Sequence, residues 1–202
     1  ALDVFSKEPA KENILFGHEK VVATPHLGAS TTEAQINVAI QVAEQMADYL
    51  LNGAIVNALN MPSVSAEDAP KLVPYMKLSE QLGSFAGQVT ASAIKKVRID
   101  YCGHVTDLNT QTLTAVAIQG LLSPLLETVN MVSAPILARQ RNIEITESTS
   151  RTLAEFQTLV RLTVTTEQQT RAIAGTLSHG NGPRVVEIKG ISIDARLGPN
   201  ML

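Results

Sequence analysis

The sequence predicts an α+β fold in two parts: a strand, loop and helix region over residues 1–62, then an α+β domain with an antiparallel sheet over residues 63–202. Three observations carry this. The apolar run Val21-Val22-Ala23 stops at Thr24-Pro25 and gives way to a long helical stripe. Residues 61–70 break the pattern with Pro62, Ser63, Ser65 and Pro70. Beyond them the apolar period switches from the 3.6 of a helix to the 2 of a strand, as Val97, Ile99 and Tyr101 alternate with Lys96, Arg98 and Asp100.

Taken in order, Ala1 to Phe5 reads as a short buried strand, Ser6 to Lys20 as loop, and Val21 to Thr24 as a second strand. A strand at residue 1 with nothing before it to pair against predicts a fragment of a longer protein. Pro25 denies that second strand its next ladder donor and biases Thr24 towards an extended backbone, so His26 is displayed on a loop at a strand end. Ser30 with Glu33 forms a candidate capping box, starting a helix near Thr31. The helix runs to Asn52, with Ile36, Ala39, Ile40, Ala43, Ala47 and Leu50 on one stripe and Gly53 as its stop. At about 30 Å it is long enough to cross between domains.

Ala54 to Asn60 is a short strand, and Ser65 with Asp68 caps a second helix over about 68–92. Helices are also expected over about 109–126 and 132–141, and strands over 143–147, 156–166, 170–177 and 184–197. Within the last, Lys189-Gly190 reads as a tight hairpin turn.

Composition narrows the function. Net charge is −3 over 202 residues, which gives no reason to expect nucleic acid or an anionic membrane as partner. No apolar run reaches the roughly 20 residues of a membrane helix. A lone Cys102 excludes an internal disulfide framework and suits a reducing, cytoplasmic setting. No grouping reads as a metal site.

Glu8 and His26 are the first candidate constellation. An imidazole moves protons near neutral pH, and a carboxylate beside it fixes its tautomer and raises its pKa. The residues alone are equally compatible with a solvated Glu8 and a histidine that merely caps a loop.

Ala1-Leu2-Asp3-Val4-Phe5, Lys7-Glu8-Pro9 and Thr24-Pro25-His26-Leu27-Gly28-Ala29-Ser30-Thr31 together resemble the end of the catalytic core of the D-2-hydroxyacid dehydrogenase family. The likeness is strongest to the branch that oxidises 3-phosphoglycerate to 3-phosphohydroxypyruvate in serine biosynthesis. The resemblance implies that His26 is the general acid/base and Glu8 its partner. It implies that Asp3 and the loop His26, Leu27, Gly28 and Ala29 line the nicotinamide end of NAD, and that the whole enzyme is a homo-oligomer. The family's Gly-x-Gly-x-x-Gly phosphate loop, acidic ribose ligand and catalytic arginine are absent from these residues. This chain alone is therefore expected to bind no NAD and to be inactive, acting as a regulatory and assembly module.

Residues from about 66 to 202 have the length and element order of the family's inserted allosteric substrate-binding domain, and the expected serine-binding domain would follow Leu202. The resemblance implies a phosphorylated or carboxylate effector there. Guanidinium forks suit such anions, and the candidates are Arg196 with His179, then Arg184, Arg151, Arg161 and Lys189. Against a built anion site, residues 142–202 hold as many acids as bases. The alternatives are a fragment of another D-2-hydroxyacid dehydrogenase and a stand-alone anion-binding module.

Overall fold

The computed structural model describes residues 1–28, 30–152, 156–178 and 182–198. Its contacts divide into two units, Ala1–Leu51 and Asn52–Leu202.

The first unit has little regular structure before its helix. The two expected strands reduce to one parallel bridge between Leu2 and Ala23. Leu2 N–H donates to Val22 O at 2.8 Å and Thr24 N–H to Leu2 O at 2.9 Å, after which Pro25 ends the pairing. Four or five residues with a single neighbour cannot build a longer ladder. Phe5 and Phe16 meet edge to face at 5.3 Å between centroids. Helix α1 spans Thr32–Asn52. Its start differs from the expected capping box. Thr31 Oγ1 accepts from Ala34 N–H at 3.2 Å, whereas Ser30 turns its hydroxyl back to Leu27 O. Both residues have a capping oxygen, and the turn ending at Ser30 assigns the role to Thr31. None of α1's residues is buried.

The second unit is a mixed sheet with helices on one face. After an isolated Ile55–Val64 bridge come α2 (Ala69–Gln88), β1 (Ile94–Gly103), α3 (Thr110–Leu122), α4 (Ala134–Gln140), β2 (Glu144–Ser150), β3 (Thr158–Thr166), β4 (Thr170–Leu177), β5 (Pro183–Ile188) and β6 (Ile191–Arg196). The order across the sheet is β2-β1-β3-β4-β5-β6. Four of its pairings are antiparallel, but β2 lies parallel to β1, with Lys96 opposite Glu144 and Cys102 opposite Ser150. The antiparallel sheet expected from sequence is present in β1 and β3 to β6, and β2 adds a parallel strand at its edge. The α3–α4 crossover carries the chain from the C-terminal end of β1 back to the end at which β1 starts, as parallel neighbours require.

The Ser65–Asp68 pair forms in the turn that leads into α2: Asp68 N–H donates to Ser65 Oγ at 3.1 Å, and that hydroxyl donates to Asp68 Oδ2 at 2.7 Å, while Asp68, the N-cap, makes no side-chain bond to the helix. Asn109 caps α3 by accepting from Thr112 N–H at 3.3 Å. Leu72, Leu78 and Leu82 of α2 and Leu113 and Leu121 of α3 bury against Val97, Ile99, Val160, Leu162 and Ile173 of the sheet. Tyr101 is fully buried, its hydroxyl bonded to Thr114 Oγ1 at 2.9 Å, and burial pushes its pKa up. Helices α2 and α3 approach through glycines: an added Cβ on Gly83 would strike the Ala117 carbonyl, and one on Gly120 the Glu80 carbonyl. The hairpin turn forms where sequence placed it, with Lys189 at φ 52° and Gly190 at φ 79°.

Candidate active site and its relatives

The candidate site lies wholly within the first unit and is built around Asp3. Three successive amides converge on this residue. His26 N–H donates to its carbonyl at 2.9 Å, Leu27 N–H to Oδ1 at 2.7 Å, and Gly28 N–H to Oδ2 at 2.9 Å. Thr24 Oγ1 adds a fourth bond, donated to Oδ1 at 2.6 Å. With these in place His26 adopts φ 57°, a left-handed conformation that costs a non-glycine residue energy unless its surroundings hold it there.

Glu8 is set from the other side. Phe5 N–H donates to Glu8 Oε1 at 2.9 Å, leaving Oε2 to contact His26 Nδ1. The two residues that sequence could only suggest as partners therefore meet. The Phe5 amide, and after it the imidazole, hold the Glu8 carboxyl below its usual range. The hydrogen bond that His26 donates to Glu8, aided by the carboxylate's charge, raises His26 above its ordinary value. Asp3 is lowered too, first by the Thr24 hydroxyl and then by the Leu27 amide.

A cavity of about 610 Å³ opens beside the pair, lined by Phe5, Leu15, Phe16, Val21 and Pro25 with Glu8, Thr24 and His26 as its polar groups. No lysine or arginine lines it. The arrangement can hold and move one proton, at the imidazole nitrogen not engaged by Glu8. An anionic group placed there would find no cation in the cavity wall. For a nicotinamide, the fit rests on Asp3. Its carboxylate takes two donors on Oδ1 and one on Oδ2, so a carboxamide N–H has an acceptor place left. The Leu27 and Gly28 amides fill two of the other places, and Ala29 lies outside the described residues.

Among the described residues, the anion candidates of the second unit do not gather at one place. Arg151 follows β2 and Arg196 lies on β6, at opposite edges of the six-stranded sheet and so about 24 Å apart. Arg161 bonds Glu187 at 2.7 Å, Arg184 bonds Asp194 at 2.5 Å, and Arg151 reaches Asp107 at 3.4 Å. Lys189 sits in the exposed hairpin turn, and His179 lies outside the described residues. Only Arg184 and Arg196 are direct cross-strand partners. Among the described residues no group of three or more His, Cys, Asp or Glu could hold a metal ion, and no helix is long and apolar enough to cross a membrane.

Sequence reasoning missed Thr24, although a hydroxyl immediately before Pro25 was a visible signal. It also missed that Asp3 holds the loop, because backbone amides leave no trace in side-chain identity.

Comparison with known proteins joins the two units. The D-3-phosphoglycerate dehydrogenase intervening domain matches residues 71–189. The D-3-phosphoglycerate dehydrogenase of Bacillus subtilis is 36% identical over 195 residues, covering 96% of this chain and 37% of that protein. That of Methanocaldococcus jannaschii is 37% identical over 194 residues, again 96% of this chain and 37% of the relative. A chloroplastic D-3-phosphoglycerate dehydrogenase of Arabidopsis thaliana is 41% identical over 153 residues, 73% of this chain and 26% of its own length. The chain thus spans little more than a third of the two prokaryotic relatives and about a quarter of the chloroplastic one. With a match across more than half of its residues, the chain belongs to the D-3-phosphoglycerate dehydrogenase family, as the part that carries its intervening domain.

Proposed function

We propose that this chain is the segment of an NAD-dependent D-3-phosphoglycerate dehydrogenase that contributes the proton-transfer pair, and that its second unit is a regulatory domain. The observation that carries the catalytic reading is the Glu8–His26 contact at the rim of an apolar cavity, with His26 fixed by Asp3. NAD, when bound, supplies the hydride acceptor. His26 takes the proton of the substrate hydroxyl as the alcohol becomes a carbonyl, and returns it in the reverse direction. Glu8 holds Nδ1, which orients the ring and stabilises the imidazolium that forms. Asp3, Leu27 and Gly28 would border the nicotinamide. The apolar wall excludes water from the proton's path.

Because the cavity offers no cation, the substrate's phosphate and carboxylate require groups beyond those lining it. The 202-residue chain alone is accordingly expected to show no turnover. Incubation with 3-phosphoglycerate and NAD, read as NADH absorbance, tests this; steady NADH formation would overturn it.

For the second unit, the Arg184–Arg196 pair supports an anion-effector reading, with a phosphorylated or carboxylate molecule competing against Asp194 for Arg184. Thermal shift of the chain with phosphate, 3-phosphoglycerate, serine and NAD tests it, since a ligand selective for the folded state raises Tm. A rise with the phosphorylated compounds and none with NAD is expected; no rise with any anion would remove the effector role. The reading includes a cytoplasmic homo-oligomer. Ile36, Ile40, Met46 and Leu50 of α1 are each at least half exposed, so the isolated chain should self-associate, and a strictly monomeric light-scattering mass would count against it.

A further inference from the structure

We propose that Thr24 is a positioning residue for the proton-transfer pair: its hydroxyl, through the Asp3 carboxylate, locks the Leu27–Gly28 turn and thereby the backbone of His26. The inference rests on His26 being the general acid/base and extends that reading to a side chain outside the pair.

The geometry is specific. Thr24 Oγ1 lies 2.6 Å from Asp3 Oδ1, in a part-buried contact, and only 3.5 Å from Leu2 O, so the carboxylate is its partner. The same Oδ1 receives Leu27 N–H at 2.7 Å, and Oδ2 receives Gly28 N–H at 2.9 Å. A carboxylate bonded only by the two amides could rotate about its χ2, a broad two-fold torsion, and release either one. The hydroxyl adds a third bond from the strand side. It ties the carboxylate to the last residue that the Leu2 bridge orders, where Thr24 N–H meets Leu2 O at 2.9 Å. The order of the strand end therefore passes from Thr24 to Asp3, and from Asp3 to Leu27 and Gly28, which follow the strained His26 backbone. Pro25 strengthens the link by restricting Thr24 to extended conformations. A bland role for Thr24, filling space at a strand end, would need its methyl group and would be indifferent to the hydroxyl.

That difference gives the test. In the 202-residue chain, Thr24→Val keeps the shape and removes the donor, whereas Thr24→Ser keeps the donor and removes the methyl. Amide hydrogen exchange at Leu27 and Gly28 and the NMR titration of His26, whose ionisable neighbours are Glu8 and Asp3, are followed together. Tyr101 N–H in the second unit serves as the folding control. For Thr24→Val, exchange at Leu27 and Gly28 should rise about five- to tenfold, as expected for one lost hydrogen bond. The His26 pKa should fall towards its ordinary value, and Thr24→Ser should restore both. Unchanged exchange in Thr24→Val, or a serine variant that behaves like the valine one, overturns the proposal. Should Thr24→Val disorder the first unit altogether, Asp3→Asn and the double variant decide the matter. Coupled residues give a double variant no worse than the more severe single one, and additive effects overturn the proposal. These readouts need no activity, so they fail or succeed independently of whether His26 is catalytic; turnover of His26→Asn in the full-length enzyme addresses that.

Discussion

At the residue scale, the chemistry of the site follows from how Glu8 distributes its two oxygens. Oε1 is tied to the Phe5 amide, so Oε2 has a fixed direction, and His26 Nδ1 meets it. Glu8→Gln would keep the shape and remove the charge that raises His26. The His26 pKa should then drop towards its ordinary 6.5, which an NMR titration would read directly. The same pair predicts a pH window for the first unit. Glu8 is depressed on folding, so its contribution is present above the usual 4.5 and lost as pH falls through its lowered value. His26 is raised, so its contribution is complete below 6.5 and lost as pH rises through its elevated value. The pair therefore stabilises the first unit most between about pH 4.5 and 6.5, and both flanks should flatten in Glu8→Gln when unfolding is followed against pH. The His26 ring is more than half exposed and Glu8 about a third, so solvent screens the pair and the window is a matter of position more than of size.

At the scale of elements, the glycines between α2 and α3 decide how closely the helices pack. Gly83→Ala would push a methyl group into the Ala117 carbonyl, and no flexible side chain is there to give way. A cost of about 1–3 kcal/mol is expected for such overpacking, with a drop in the second unit's Tm by calorimetry. An unchanged Tm would mean that the helices are further apart than described. Much of this unit was legible in the sequence. The alternation of Val97, Ile99 and Tyr101 gave β1, the Ser65–Asp68 pair gave the start of α2, and Lys189-Gly190 gave the last turn, because each is written in local chemistry. The direction of β2 was not. Ile145 and its neighbours show that a strand exists, but its pairing parallel to β1 depends on the α3–α4 crossover, which has no local signature. Gly83 and Gly120 were equally silent, since a glycine in a helix reads as a weak helix position until its neighbour is known.

At the scale of the whole molecule, the two units divide the work. The first holds the Glu8–His26 pair beside an apolar cavity without cations, and the second a six-stranded sheet with helices on one face. The Thr24-Pro25-His26 segment signalled in sequence a histidine displayed at a strand end, because the strand end and the ring are consecutive, whereas its proposed acid/base role came from the family resemblance. The effector candidates were poorly resolved there, because arginines scattered over four strands and their flanks look alike until sheet order separates Arg151 from Arg196. Within the account, the first unit supplies acid/base chemistry and the second responds to anions, so Arg196→Ala should abolish a phosphate-induced Tm rise while leaving the His26 titration unchanged. The central claim is that His26 carries the proton in the oxidation of 3-phosphoglycerate. The most direct measurement is NADH formation from 3-phosphoglycerate by a protein of the relatives' full length carrying this sequence, wild type against His26→Asn. A fall in kcat/KM of about 10²–10⁴, with unchanged circular dichroism, is the predicted result. Turnover of His26→Asn at the wild-type rate would contradict the account.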